Sequence, residues 1–278
     1  MNTVKTIHTG YFKLDGGAMF GIVPKRIWEN MHPADAHNMC TWAMRSLLVQ
    51  TPDGRNILID TGIGTKQDSR FQQHFEPFGP PDLLTSLASC GLQPGDITDV
   101  LLTHLHFDHC GGAVQRDPES GALRPTFPRA TYWTNERHLK WALAPNAREK
   151  ASFLTENFVP LLEQNRMQFV PLKQRYTFAA GLQIRFVYGH TEAMMIPYIQ
   201  TDAETLVFCA DLLPSRWHVG APYIMAYDVR PLKTLQEKES LLREAFRRNQ
   251  TLMLEHDPEW EKIRVTQDDK GRYLPVKM

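Results

Sequence analysis

Apolar positions along this chain recur mostly in short runs bounded by glycine, proline, asparagine or aspartate, a pattern that reads as strands. Met44-Arg-Ser-Leu-Leu-Val-Gln50 predicts one strand. Asn56-Ile-Leu-Ile-Asp60 predicts its hairpin partner across Pro52-Asp53-Gly54, stopped by Thr61-Gly62. Asp99-Val-Leu-Leu-Thr103 predicts a buried strand, and Thr131-Tyr-Trp133 another. Leu182 to Tyr188, Met195 to Gln200 and Thr205 to Cys209 continue the pattern, and Thr251-Leu-Met-Leu254 closes it as a last strand. Ahead of Met44, short apolar runs mix with a turn at Asp15-Gly16-Gly17.

Other stretches carry a helical period. Asp82 to Ser89 reads as a helix opened by Pro80-Pro81 and closed by Gly91. Asn135 to about Gln164 is the clearest helical region, broken once near Pro145, with Trp141, Phe153 and Phe158 as packing or pocket-wall residues. After Pro231, the near-helical spacing of Leu232, Leu235, Leu242 and Phe246 predicts an amphipathic helix. Strands and helices alternate, with strands in the larger share of the core, which predicts α/β layers. No repeat, low-complexity tract or linker divides the chain, so one domain over residues 1–278 is expected.

Composition narrows the field further. A chain of 278 residues, 42% hydrophobic and 22% charged, can bury a sizeable core and is not expected to be disordered. Lys and Arg number 31 against 31 Asp and Glu, which removes the electrostatic case for nucleic acid or an anionic membrane as partner. The longest apolar runs are strand-sized, so no membrane span is expected. Met1-Asn-Thr-Val-Lys5 lacks a secretory pattern, and Cys40, Cys90, Cys110 and Cys209 lie far apart with no Cys-x-x-Cys pair. A reduced, cytoplasmic protein with free thiols is the expectation.

The histidines carry the chemistry. Thr103-His-Leu-His-Phe-Asp-His-Cys-Gly-Gly112 is the densest group of ligand-type side chains. His104, His106 and Asp108 recur at every second residue, so an extended backbone would point them to one side. His109 breaks that period, which requires a turn that Gly111-Gly112 permits. Imidazole and carboxylate together suit zinc, manganese or iron. His190, Asp211 and His256 each follow an apolar strand. Alone, each would pass for a capping or turn residue. In open α/β sheets, however, sites form where strands end, so these positions and the first cluster are expected to converge. Cys110 reads as a small buried filler.

His104-Leu-His106-Phe-Asp108-His109, Gly189-His190-Thr191, Asp211 and His256, in that order, resemble the metallo-β-lactamase superfamily of metal-dependent hydrolases. Leu58-Ile-Asp60-Thr-Gly62 resembles that family's early Asp-Thr-Gly segment. The length and the closing Glu255-His256-Asp257-Pro258 are most similar to the branch containing acyl-homoserine lactonases and methyl parathion hydrolase. The resemblance implies an αββα sandwich with two divalent metal ions at one edge, zinc first, manganese or iron as alternatives. His104, His106 and His190 would hold the first ion, Asp108, His109 and His256 the second, and Asp211 would bridge them. Asp60 would accept a hydrogen bond from a ligating histidine. The implied chemistry is attack on a carbonyl or phosphoryl centre by a hydroxide shared between the ions. Asp108 or Asp211 would move the proton. The substrate would be a small ester, lactone or organophosphate.

Two departures from the family stand out. Gly189-His190-Thr191 runs into Glu192-Ala-Met-Met195, placing methionines as core or pocket residues where relatives often continue Pro-Gly. Pro214 stands three residues after Asp211, where the lactonases carry a tyrosine that polarises the lactone carbonyl. Tyr223 and Tyr227 in the next loop are the candidates to replace it. Met19, Phe20, Trp141, Trp217, His218, Tyr223 and Met225 are the expected pocket walls, and His32, His37, His74 and His138 read as surface or turn residues. The rival readings are a redox member of the same fold, of the persulfide dioxygenase type, and a non-catalytic ligand-binding protein. The former typically uses a single iron and lacks a full second-metal set. A small-molecule substrate is the expected partner, and Tyr11 to Leu14 with Ile22 to Pro24 is a candidate homodimer face.

Overall fold

The computed structural model describes all residues except 80 and 81. Fifteen strands are present among them, and thirteen lie in two large sheets. The first sheet takes β1 (Thr3–Asp15), β2 (Met39–Gln50), β3 (Asn56–Ile59) and β4 (Asp99–Leu101) in that order. A separate hairpin of β5 (Val114–Arg116) and β6 (Leu123–Pro125) precedes β7 (Thr131–Thr134) and β8 (Met167–Phe169), which complete that sheet. The second sheet runs in reverse chain order, from β15 (Tyr273–Lys277) through β14 (Lys262–Gln267), β13 (Thr251–Met253), β12 (Thr205–Phe208), β11 (Met194–Gln200) and β10 (Leu182–Val187) to β9 (Tyr176–Ala179).

Side-chain alternation explains why the sheets stack. Leu47 and Val49 on β2, Ile57 and Ile59 on β3, and Leu101 on β4 meet the residues of β10 to β13 in one core. The intervening Leu48, Leu58 and Val100 point the other way into a second core. A strand buried on both faces must have an outer cover. That cover comes from α4 (Leu83–Ser89), α6 (Glu136–Leu143) and α7 (Val159–Glu163), which supply Leu87, Leu139 and Leu161. On the far face of the second sheet, α8 (Pro231–Arg248) contributes Leu241, Leu242 and Ala245. The layers are therefore α, β, β, α, as the resemblance implies.

Shorter helices connect strands of the first half of the chain: α1 (Gly16–Phe20) and α2 (Lys25–Trp28) between β1 and β2, α3 (Ser69–Phe75) between β3 and β4, and α5 (Phe107–Cys110) after β4. Asp15, Asp68, Asp82 and Asn135 each accept a backbone N–H at the start of a helix. The expected opening of α4 by Pro80-Pro81 lies outside the described residues. Among the described residues, no helix is long and apolar enough to cross a membrane.

Several expectations change. The N-terminal segment is one 13-residue strand, not short runs with turns, because it pairs along most of β2. In the candidate dimer face, Phe12, Leu14 and Val23 are core residues and Ile22 is 88% exposed. The helical region from Asn135 breaks over residues 144–158 and not at one proline. Thr251–Met253 is not the last strand, since β14 and β15 follow it. The buried face of α8 is Thr234, Lys238, Leu241, Leu242 and Ala245, with Leu232 and Phe246 exposed. Lys238 can lie inward because its Nζ donates to the carbonyls of Gly220, Ala221 and Tyr223 at 2.8–3.2 Å.

Candidate metal centre

Strand direction gathers the site. β3, β4 and β7 run parallel, as do β12 and β13, and the two antiparallel steps from β12 to β10 restore the same direction there. Asp60 follows β3, residues 103–109 follow β4, His190 follows β10, Asp211 follows β12 and His256 follows β13, all at the C-terminal ends. Asp60, Ala193 and Ala210 adopt φ of 58°, 53° and 43° in these segments, a left-handed conformation that costs a residue bearing Cβ. Among the described residues, three of the seven non-glycine residues with positive φ thus lie in the segments that carry or follow candidate ligands.

The motif itself differs from a fully extended run. His106 has extended dihedrals, but Asp108 and His109 lie on the single turn of α5. Asp108 therefore reaches the site from a helix and not by strand alternation. Gly111 and Gly112 serve close approach, since a Cβ on either would sit 2.1 Å from the Ile63 oxygen or 2.3 Å from the Thr61 oxygen.

All seven candidate ligands converge and are buried. His104, His106, His190 and Asp211 bring ligand atoms within 4.8 Å of one another, and so do Asp108, His109 and His256. Asp211 spans the two groups. Its Oδ2 lies 3.1 Å from His190 Nε2 and 3.5 Å from His109 Nε2, while its Oδ1 lies 3.0 Å from His256 Nε2.

The outward nitrogen of each imidazole faces an acceptor. His104 Nδ1 meets Thr103 Oγ1 at 3.0 Å, and that hydroxyl donates to Asp60 at 2.6 Å. His106 Nε2 faces Glu149 Oε1 at 3.5 Å, and His190 Nδ1 donates to Asp228 at 2.8 Å. His256 Nδ1 donates to the Ala43 carbonyl at 2.8 Å. His109 Nδ1 lies 3.2 Å from both Asp60 and Glu255. Such partners place the proton on the outer nitrogen and turn the inner lone pair towards the centre. His190 Nε2 then lies 3.1 Å from His106 Nδ1, and His256 Nε2 lies 3.3 Å from His109 Nε2. Two lone pairs at that separation repel, and a cation between them satisfies both. The donor set therefore fits divalent metal ions.

Electrostatics agree. Burial disfavours charge on His190, but Asp211 and Asp228 outweigh it and raise the imidazole to about 10. Protons and metal ions thus compete for one lone pair. Burial works against the Glu149 carboxylate too, yet His106, Thr191 and Trp141 hold it at about 2. Glu255 is pushed up to about 7 by burial, against the pull of His109.

A cleft of about 220 Å³ opens onto His106, Asp108, His190, Asp211 and His256. Leu14, Met19, Phe75, Phe107 and Met225 form its apolar walls, with Arg148 and Tyr227 as polar members. Of the seven expected wall residues, Met19 and Met225 line it. Phe20, Trp217, His218 and Tyr223 pack as an aromatic cluster behind, with Phe20 stacked on His218 at 5.5 Å. Trp141 instead donates to Glu149 at 2.7 Å. The two tyrosines separate cleanly, since the Tyr223 hydroxyl turns to Met31 Sδ. Met194 and Met195 are core residues, and Cys110 is a buried thiol pushed up to about 12.

His37 is exposed, and His74 lies at the cleft rim. His32 and His138 are buried, against expectation. His32 stacks on Trp217 at 4.3 Å, and His138 is held by backbone groups of two site segments. Glu149, Asp228 and Glu255 went unsingled as outer partners in the sequence. Nothing local marks the first two, which lie 43 and 38 residues from the histidines they face.

Comparison with known proteins places this architecture. Residues 45–246 match the metallo-beta-lactamase superfamily, so the chain belongs to that superfamily, whose hydrolases bind metal ions. An N-acyl homoserine lactonase of Bacillus cereus is 24% identical over 191 residues, 64% of this chain and 66% of the relative's own length. The structure of a probable metal-dependent hydrolase from Staphylococcus aureus superposes with a TM-score of 0.87 at 25% identity, covering 100% of this chain and 98% of the other. AidC, a dizinc quorum-quenching lactonase solved with its product, superposes at 0.81 with 20% identity, covering 100% and 94%. The family and the fold are thus those of a superfamily of metal-dependent hydrolases, and the relatives this chain resembles include lactonases.

Proposed function

We propose that residues 1–278 form one dinuclear hydrolase domain that cleaves a small ester-like substrate, an ester, a lactone or an organophosphate. The carrying observation is the ring of five imidazoles, each with its outward nitrogen facing an acceptor and its inward nitrogen facing the Asp211 carboxylate or another histidine. His104, His106 and His190 would hold one ion, Asp108, His109 and His256 the other, and Asp211 would bridge them. Zinc suits this mixed nitrogen and oxygen set. Two such ions, when bound, would supply a water acidified towards neutrality and positive charge for an oxygen that becomes anionic.

The chain's own groups do the rest. Leu14, Phe75, Phe107 and Met225 would bind the apolar part of the substrate and exclude water. The cleft, smaller than the roughly 300 Å³ at which drug-sized sites begin, suits a small substrate. Asp108 and Asp211, which both line it, would take and return the proton. Tyr227 lines the cleft and would supply the phenol that Pro214 does not. Its hydroxyl would donate to the substrate oxygen.

The test is a panel of an acyl-homoserine lactone, p-nitrophenyl butyrate and paraoxon with zinc-reconstituted protein of measured metal content. Turnover is expected that chelation abolishes and zinc restores. Protein holding two zinc ions yet turning over no panel member would overturn the enzyme reading. Tyr227→Phe should lower kcat roughly 10- to 100-fold with little change in KM, the signature of a bond made in the transition state.

A further inference from the structure

The first turn of α6 lies behind the metal centre and grips two of its ligand segments. His138 is fully buried. Its Nε2 accepts the backbone N–H of Leu105, the residue between His104 and His106, at 2.8 Å. Its Nδ1 donates to the carbonyl of Glu192, two residues beyond His190, at 2.6 Å. A backbone N–H can only donate and a carbonyl can only accept, so these contacts assign the neutral ring with its proton on Nδ1. Burial, which brings the imidazole down to about 3, keeps it neutral.

Asn135 does parallel work. Its Oδ1 caps the His138 N–H at 2.8 Å and its Nδ2 donates to the Ala193 carbonyl, also at 2.8 Å. Arg137 and Arg230 close on the Glu192 carboxylate from either side. Ala193 itself holds a φ of 53°, and strain of this kind persists only where surrounding contacts impose it. Neither His138 nor Asn135 lines the cleft.

We propose that His138, assisted by Asn135, is a positioning residue that sets the separation between the His104–His106 pair and His190. It thereby tunes affinity for the first ion and not the second. The inference rests on the dinuclear reading of the site. The rigid ring fixes how far Leu105 stands from Glu192, and one residue therefore couples a loop after β4 to a loop after β10. An apolar side chain of equal size would fill the volume yet leave a buried donor and a buried acceptor unpaired. The two segments would then drift apart and Ala193 would relax.

The test uses the full chain with His138→Phe, His138→Gln and Asn135→Ser, the last retaining a helix-capping oxygen while losing the amide donor. Competition between each apo protein and a chromophoric chelator for zinc resolves the two ions, and circular dichroism reports folding. His138→Phe and Asn135→Ser are expected to weaken one ion about 10- to 100-fold and leave the other near wild type. His138→Gln, whose amide can accept from Leu105 and donate to Glu192, should recover most of that loss. Wild-type affinity for both ions in folded variants would overturn the proposal, and so would equal weakening of both, which marks general loosening. If His138→Phe does not fold, Asn135→Ser decides the matter alone. Wild-type protein that binds fewer than two zinc ions would instead overturn the dinuclear reading, and this inference with it.

Discussion

Asp228 offers the sharpest trial of the reasoning, because it contacts a proposed ligand without belonging to the proposed ligand set. Its Oδ1 accepts the His190 Nδ1–H at 2.8 Å, and the residue is 1% exposed. Asp228→Asn preserves an acceptor and removes the charge. A hydrogen bond to a charged group contributes about 1.5–3 kcal/mol against about 0.5–1.5 for a neutral one, so the change costs about 1 kcal/mol. That is a loss of roughly five- to tenfold in affinity for the ion held by His190. Asp228→Ala leaves the imidazole N–H buried and unpaired, at about 1–3 kcal/mol, and should weaken binding by up to about 100-fold. Zinc titrated calorimetrically into the apo proteins measures both numbers. The ordering wild type, Asn, Ala is the prediction. Equal zinc affinity in all three would refute the claim that the outer hydrogen bond orients His190, even if Asp228→Ala lowered thermal stability.

Other outcomes follow from the same geometry. Stripping the protein with a chelator should lower its thermal midpoint, and zinc at a hundred times its dissociation constant should restore about 2.7 kcal/mol, read by calorimetry as roughly 5–10 °C. An unchanged midpoint would show that the centre holds no metal tightly. Gly111→Ala should displace α5, because its Cβ would meet the Ile63 oxygen at 2.1 Å. The ion at Asp108 and His109 should then be lost more readily than the other, as metal analysis after dialysis would show. Asp99 contributes to acid stability: burial raises its carboxyl, but the Arg55 fork at 2.7 and 3.0 Å and bonds from Thr98 and Trp133 bring it below the ordinary value. Its contribution is full above the unfolded-state pKa of about 4 and disappears as pH falls through the lower folded value. Asp99→Asn should therefore cost about 2–3 kcal/mol at pH 7 and flatten that acid limb in urea titrations, whereas parallel curves would contradict the pairing.

Much of the strand pattern was legible because each strand alternates or runs apolar within clear turn signals. The strand after Arg55 ends at Ile59, one residue short of expectation, and that before Asp211 at Phe208. Long-range effects account for the misreadings. The face of α8 shifted because Lys238 finds three carbonyls in a loop that a helical wheel does not contain. His138 read as a surface residue because its partners, Leu105 and Glu192, lie 33 and 54 residues away. The terminal hairpin of β14 and β15 was missed; its outer strand has exposed Leu274 and Val276 and little apolar period.

By itself, the sequence determined which side chains were available as candidate ligands: five histidines and two aspartates, four of them in one six-residue motif. Composition and local spacing suffice for that, since ligand chemistry belongs to side chains. Tertiary structure alone decided where the other three arrive, which nitrogen of each ring faces inward and which buried groups hold the ring there. It also decided that Tyr227 and not Tyr223 reaches the cleft. Those choices depend on strand ends and loops brought together across the sheets, and no local pattern encodes a distance between segments so far apart in the chain.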